Sequence, residues 1–142
     1  MSEYAKIATK FKDLECLLAA LKEVGYDNVE VHETAQRLVD FQGRQTHYTD
    51  ATGDTANVIV RRKYVGGAAN DLGFLKQADG SYSALVSEYD SSKHNEKWFG
   101  RLKAKYAEKF VAKEAKRQGM RLYSPARTVN GKRIIQYLDM RA

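Results

Sequence analysis

The stretch Ala56–Asp90 reads ANVIVRRKYVGGAANDLGFLKQADGSYSALVSEYD, and its pattern predicts three consecutive strands of one sheet. The first is Asn57–Val65, rich in β-branched and aromatic residues. Side chains alternate across a strand, so Val58, Val60, Arg62 and Tyr64 share one face and Ile59, Arg61, Lys63 and Val65 the other. Two readings of its end stay open. In one the strand leaves the core and Arg61, Arg62 and Lys63 enter water. In the other the sheet surface offers guanidinium forks to an anion. Gly66-Gly67-Ala68-Ala69-Asn70 then breaks the pattern and reads as a loop. Glycines permit positive φ, which turns backbone N–H groups toward an anion. No Gly-Lys-Ser/Thr follows, so this is not a phosphate loop. The candidate anion site is therefore Arg61, Arg62, Lys63, Gly66, Gly67 and Asn70, opposed by a plain structural turn.

Leu72–Gln77 and Tyr82–Tyr89 predict a hairpin closed by a type I′ turn at Asp79-Gly80. A two-residue loop places Phe74 opposite Leu85 and Leu75 opposite Ala84.

Outward from this hairpin the rest of the chain is legible in order. Tyr4–Phe11 alternates and predicts a first strand, with Ile7, Thr9 and Phe11 inward. Asp13 suits a helix N-cap. Leu14, Leu17, Leu18, Leu21 and Val24 repeat at helical spacing, and Gly25 ends that helix. Asn28–Glu33 and Arg37–Gln42 predict two short strands, with His32 toward solvent. Gln42–Thr55 is polar, with no regular pattern, and holds His47, Asp50 and Asp54 at no recognised metal-ligand spacing. Ser91-Ser92 offers a cap for a long helix near Lys93–Gln118, with Trp98, Phe99, Leu102, Tyr106, Phe110 and Val111 as its apolar stripe. Met120–Tyr123 and Arg133–Leu138 predict a last pair of strands around the turn signal Asn130-Gly131, with Pro125 as an interruption or edge residue.

The 142 residues fit one domain, 1–142, large enough for a core without disulfide or metal support. Cys16 is the only cysteine, which excludes an intrachain disulfide and suits a reducing compartment. Nothing local supplies the base that an activated thiolate needs. The opening MSEYAKIATKFKD has no apolar signal region, and no apolar run is long enough to cross a membrane. These features predict a soluble, cytoplasmic protein without membrane insertion.

Charge is uneven. Lys93–Ala142 carries 14 basic and 4 acidic residues, whereas the preceding part carries 10 and 14. Such asymmetry predicts an acidic partner, either protein or nucleic acid. Lys105, Lys109 and Lys113, four apart on one side of the long helix, are the candidate phosphate contacts of the nucleic-acid reading.

Several pieces resemble one family. They are Thr9-Lys10-Phe11-Lys12-Asp13, Val29-Glu30-Val31-His32-Glu33, Val60-Arg61-Arg62-Lys63-Tyr64-Val65-Gly66 and Asn70-Asp71-Leu72-Gly73-Phe74, with the Asp79-Gly80 turn and Ser87-Glu88-Tyr89-Asp90. The chain resembles the hypothetical chloroplast protein family, number thirty-five in its series, of cyanobacteria and algal plastids, with other bacterial members. The resemblance spans nearly the whole chain and implies a domain without an assigned activity. For a plastid-encoded member it implies the stroma. Among the pieces that carry it, His32, Glu33, Arg61, Arg62, Lys63, Asn70 and Asp71 are candidate surface residues.

The expected fold is α+β, in the order β-α-β-β-β-β-β-α-β-β. It is a largely antiparallel sheet with two main helices on one face. No motif names a reaction, a metal or a cofactor, and no catalytic residue is assigned. The leading functional expectation is a small non-catalytic binding or adaptor module acting with another protein. The alternative is nucleic-acid binding through the long helix and final hairpin. A second alternative is an anionic-ligand or enzyme domain using Arg61, Arg62 and the glycine loop.

Overall fold

A computed structural model describes residues 4–47, 53–122, 127–134 and 137–139. In chain order the elements are β1 (Tyr4–Ile7), α1 (Leu14–Glu23), β2 (Glu30–Arg37), β3 (Thr55–Val60), α2 (Arg62–Val65), β4 (Leu72–Lys76) and β5 (Tyr82–Ser87). A 3₁₀ turn (Glu88–Asp90) leads to α3 (Glu96–Arg117), then β6 (Met120–Leu122), β7 (Arg127–Val129), β8 (Lys132–Ile134) and β9 (Tyr137–Asp139). The main sheet runs β1-β5-β4-β3-β2 with every neighbouring pair antiparallel. This is the α+β architecture the sequence predicts.

One face carries the principal core. Leu17, Ala20 and Leu21 of α1 and Trp98, Phe99 and Leu102 of α3 bury against Val58, Val60, Phe74, Ala84 and Val86 of the sheet. Asp13 caps α1, its Oδ1 accepting the Cys16 N–H at 2.9 Å. The helix ends at Gly25, where Gly25 N–H donates to Lys22 O and Tyr26 N–H to Leu21 O. Those two bonds satisfy carbonyls that the last turn would leave without partners.

The opposite face is also covered. Tyr4, Leu38, Ala56, Ile59 and Leu85 form a second buried cluster. The segment after β2 covers it: Leu38 N–H donates to Asp54 O, Thr46 N–H to Leu38 O and Asp54 N–H to Thr46 O. Thr46 and Asp54 are almost fully buried. Within its described residues, Gln42–Thr55 is thus anchored rather than structureless. Asp50 lies outside the described residues.

Several expectations change for physical reasons. In place of strands at Asn28–Glu33 and Arg37–Gln42 there is one strand, β2, which ends at Arg37 and has a register shift between Val31 and Gln36. Asn57 lies across that shift and replaces the missing ladder: its Nδ2 donates to His32 O and Glu33 O, and its Oδ1 accepts the Lys76 N–H. β3 stops at Val60, and Arg62–Val65 turns into helix. The hairpin loop is Ala78-Asp79-Gly80, since Gln77 N–H donates to Ser81 O and Gly80 N–H to Gln77 O. Asp79 Oδ1 accepts both the Ser81 N–H and the Ser81 hydroxyl, and only Gly80 has positive φ, +88°. The result is a three-residue loop in place of type I′. Phe74 therefore pairs with Ala84 and Leu75 with Ser83, one residue from the expected register.

β1 ends at Ile7, which is exposed, whereas Phe11 is buried. Asn95, not Ser91 or Ser92, caps α3, accepting the Trp98 N–H at 2.9 Å. Phe110 and Val111 stand exposed on α3, outside the core the stripe predicts. The last part holds four strands, not two: β6 pairs with β9 and β7 with β8. Asn130 and Gly131 both take positive φ, as a type I′ turn requires. Tyr123, Pro125 and Ile135 lie outside the described residues.

Candidate functional site

The loop end of the sheet collects the 38–46 segment, α2 with the following loop, and the 3₁₀ turn after β5. A buried carboxylate organises it. Asp71 immediately precedes β4 and its side chain is fully buried. Its Oδ1 accepts the Arg62 N–H at 2.7 Å, and its Oδ2 accepts the Val39 N–H and Arg61 Nη1, both at 2.9 Å. The backbone of Asp71 adds two bonds: its N–H donates to Val39 O, and its carbonyl accepts the Tyr4 hydroxyl at 2.6 Å. Burial, and next the Asp71 charge, push the Tyr4 phenol far above its ordinary range. The Arg62 bond starts α2, because it fixes the first helical N–H to a side chain nine residues ahead.

Asn70 ties down the neighbouring segments. Its Oδ1 accepts the Phe41 N–H, its Nδ2 donates to Ser87 Oγ, and its N–H donates to Asp90 Oδ2. Ser87 Oγ in turn donates to Asp90 Oδ2. Four chain segments, Tyr4 of β1 among them, are thus pinned by two consecutive residues.

Arg61 is held between two carboxylates. Its Nε and Nη2 meet Glu30 Oε2 and Oε1 at 2.9 and 3.0 Å, and its Nη1 meets Asp71. The Arg61 fork, ahead of the His32 bond, holds the Glu30 carboxyl below the usual carboxylate range. Arg62 reaches Phe41 O through Nη1, and Lys63 lies 4.9 Å over the Tyr64 ring. Lys93 Nζ donates to Val65 O at the end of α2.

The sequence-predicted anion constellation is divided between places. Arg61 and Lys63 line a cavity of about 290 Å³ with Asn28, Val29, Glu30 and Tyr64. Gly66 and Gly67 line another, of about 350 Å³, with Ala68, Ala69, Tyr89, Asp90, Ser92 and Lys93. Asn70 is buried and bonded within the protein. Gly66 is extended, with φ 168°, and neither it nor Gly67 adopts the left-handed conformation. Gly66 instead leaves room for Lys93, whose Nζ would lie 2.8 Å from a Cβ there.

The Lys105, Lys109 and Lys113 row meets carboxylates. Lys109 pairs with Glu23 at 3.1 Å and Lys113 with Asp13 at 2.7 Å, both across to the N-terminal part of the chain. Lys113 also approaches Glu15, and Lys105 approaches Glu108.

Two other reactive side chains are buried. Cys16 sits in α1, where burial, ahead of its bond with Asp13, pushes the thiol up to about 11. His94 contacts the Tyr26 hydroxyl through Nε2 at 2.7 Å and packs edge-on against Trp98. Burial lowers its pKa to about 4, and its Nδ1 has no hydrogen-bond partner among the described residues.

Sequence reasoning missed Glu30, Phe41, Tyr89 and Lys93. Glu30 was findable: it pairs with Ile59 across the β2–β3 ladder, two residues before Arg61. The other three carry no local signal.

A family model described as a protein of unknown function (DUF1257) matches residues 20–135. The match covers most of the chain, and the chain belongs to that family. No curated protein and no solved structure matches it.

Proposed function

We propose that this DUF1257 protein is a non-catalytic binding module whose loop end contacts an acidic partner protein. The observation that carries the reading is a set of exposed aromatic residues beside cations on a pinned backbone. Phe41, Tyr64 and Tyr89 are exposed on segments that Asn70 and Asp71 tie together. Arg62, Lys63 and Lys93 accompany them. Exposed aromatics with arginine are the composition that protein interfaces favour. In the candidate anion site, Arg62 and Lys63 would meet the partner's acidic groups, while Arg61 and Asn70 hold the scaffold and Gly66 and Gly67 shape the adjoining cavity. The narrower affiliation with the plastid and cyanobacterial thirty-five family belongs to the same proposal. It is supported by the sequence pieces around Arg61 and Asn70. A cytoplasmic or stromal home fits the lone buried thiol, and no helix among the described residues is long and apolar enough to cross a membrane.

The test is purification of the tagged chain from its native host at about 0.15 M salt, near the physiological ionic strength. Wild type is compared with Tyr64→Ala/Tyr89→Ala and with Lys105→Gln/Lys109→Gln/Lys113→Gln. A protein partner kept by the lysine variant and lost from the tyrosine variant supports the proposal. Nucleic acid lost only from the lysine variant supports the alternative through α3. A bound small anion lost with Arg62→Gln supports the ligand-domain reading.

A further inference from the structure

A cavity of about 650 Å³ lies between the segment after β1 and α3, and shares no lining residue with the Asp71 cluster. Its described lining is Ala8, Thr9, Lys10, Phe11, Lys103 and Tyr106. That volume is within the range of small-molecule sites, roughly 300–1,000 Å³. The walls are already fixed. Thr9 Oγ1 donates to Tyr82 O, Phe11 N–H to Thr9 Oγ1 at 3.1 Å, and Tyr82 N–H to Phe11 O at 2.9 Å. Phe11 is buried, and its ring centroid lies 4.6 Å from that of Tyr106. The two rings are inclined at 41° and form an angled apolar wall.

The polar groups can be sorted by what they have left to bond. The Thr9 proton is taken by Tyr82 O. The Tyr106 oxygen accepts the Lys12 and Asp13 N–H groups at 3.1 and 3.0 Å. A phenol that accepts two bonds retains its proton for donation. Lys10 and Lys103 are exposed and have no ion-pair partner among the described residues, unlike Lys109 and Lys113 on the same helix as Lys103. Among the described lining residues, the side-chain groups left with protons to donate into the cavity are Lys10, Lys103 and the Tyr106 hydroxyl, and two of these three are cations.

We propose that this cavity binds a small organic carboxylate with an apolar body. The body lies against Phe11 and Tyr106, and the carboxylate takes Lys10, Lys103 and the Tyr106 hydroxyl. Opposite charge supplies orientation, and the ring surface supplies most of the affinity.

The test is a titration of the full chain with 3-phenylpropanoate, followed by backbone amide shifts. 3-Phenylpropan-1-ol and acetate are the controls, one lacking the charge and the other the body. Saturable shifts at Lys10–Asp13 are expected, with both controls at least about tenfold weaker, the factor a 1.4 kcal/mol difference gives. Lys10→Gln and Lys103→Gln are each expected to weaken binding about three- to tenfold, as loss of one charge-assisted bond at a partly exposed site does. Lys97→Gln, an exposed lysine outside the cavity, is expected to change nothing. Equal binding of the alcohol, or shifts scattered over α3 and insensitive to Lys10 and Lys103, overturns the proposal. So does the lack of saturation by about 10 mM, which is weaker than even a small ligand of this size requires.

Discussion

Removing the Asp71 carboxylate is expected to damage this fold more than removing any exposed charge. Asp71→Ala leaves two backbone N–H groups, of Val39 and Arg62, without their acceptor, and takes one of two carboxylates from Arg61. A buried donor left without a partner costs about 1–3 kcal/mol, and breaking a buried charged pair costs about 3–5. These losses overlap, so about 3–5 kcal/mol in total is expected. That is a large share of the 5–15 kcal/mol typical of a domain. Asp71→Asn tests chemistry at constant shape. All three partners are donors, so an amide can serve one oxygen position and must present N–H groups at the other. About 2–4 kcal/mol is expected for it, since a buried mismatch replaces one acceptor. Glu30→Gln is the control: Glu30 is partly exposed at 42%, and Arg61 keeps Asp71, so less than about 1 kcal/mol is expected. Urea unfolding followed by tryptophan fluorescence and far-ultraviolet circular dichroism measures all three. With a slope of about 1–3 kcal/mol/M, Asp71→Ala shifts the midpoint by roughly 1–5 M. A cost below about 1 kcal/mol, or one no larger than that of Glu30→Gln, refutes the role given to Asp71.

Further outcomes follow from other positions. His94 is neutral in the fold, with a pKa lowered to about 4, so the unfolded chain binds its proton first. Stability is therefore expected to fall as pH drops from about 6.5 toward 4, by up to about 3 kcal/mol, and to do so less in His94→Gln; an unchanged pH profile in that variant counts against it. Gly80→Val and Gly131→Val each force a β-branched residue into positive φ and should cost roughly 1 kcal/mol or more, read as unfolding midpoints. Cys16 in native protein should react slowly with iodoacetamide at pH 7.5 and quickly after unfolding, and Cys16→Ala should lose packing energy alone; rapid native alkylation contradicts this.

The parts legible in the sequence are those decided by nearby residues. The α1 stripe, the Asp13 cap, the Gly25 stop and the Asn130-Gly131 turn each depend on contacts within a few positions. The corrections have longer causes. Arg62–Val65 continues a valine run and carries tyrosine and valine, so propensity favours strand, yet Asp71 captures the Arg62 N–H and begins a helical turn. Asn28–Glu33 and Arg37–Gln42 read as separate strands, yet β2 runs from Glu30 to Arg37, and Asn57 bridges its register shift with its own side chain. The hairpin shifted by one because Asp79 bonds Ser81 instead of entering positive φ. The candidate site was half visible: its cations and Asn70 stand out as residue types, but their partners, Glu30 for Arg61 and Phe41 for Asn70, are 31 and 29 residues away.

The charge asymmetry has an internal component that bears on how the basic region is tested. Part of the acidic excess of the N-terminal region faces part of the basic excess of α3. Asp13 joins the two sides: it caps α1, its carboxylate takes Lys113, and its N–H donates to the Tyr106 hydroxyl of α3. The Lys113 bond is the main reason its carboxyl sits below the usual range. Glu23 meets Lys109 in the same sense at the other end of α1. Water screens these exposed pairs, so each contributes little, and together they orient two helices that their apolar faces already hold. Reversing Lys109 and Lys113 to Glu nevertheless sets like charges against Glu23, Asp13 and Glu15. A loss of nucleic-acid affinity in that variant would then mix a contact effect with a shift of α1 on α3. Neutral Gln at the same positions removes the contacts without the repulsion, and Lys97 and Lys116 are exposed α3 lysines to reverse beside them. If α3 binds duplex DNA through these lysines, each neutralisation lowers the log–log salt slope by about 0.9. If the lysines serve only the α1–α3 contact, the Gln variants leave that slope unchanged and lower only the unfolding midpoint.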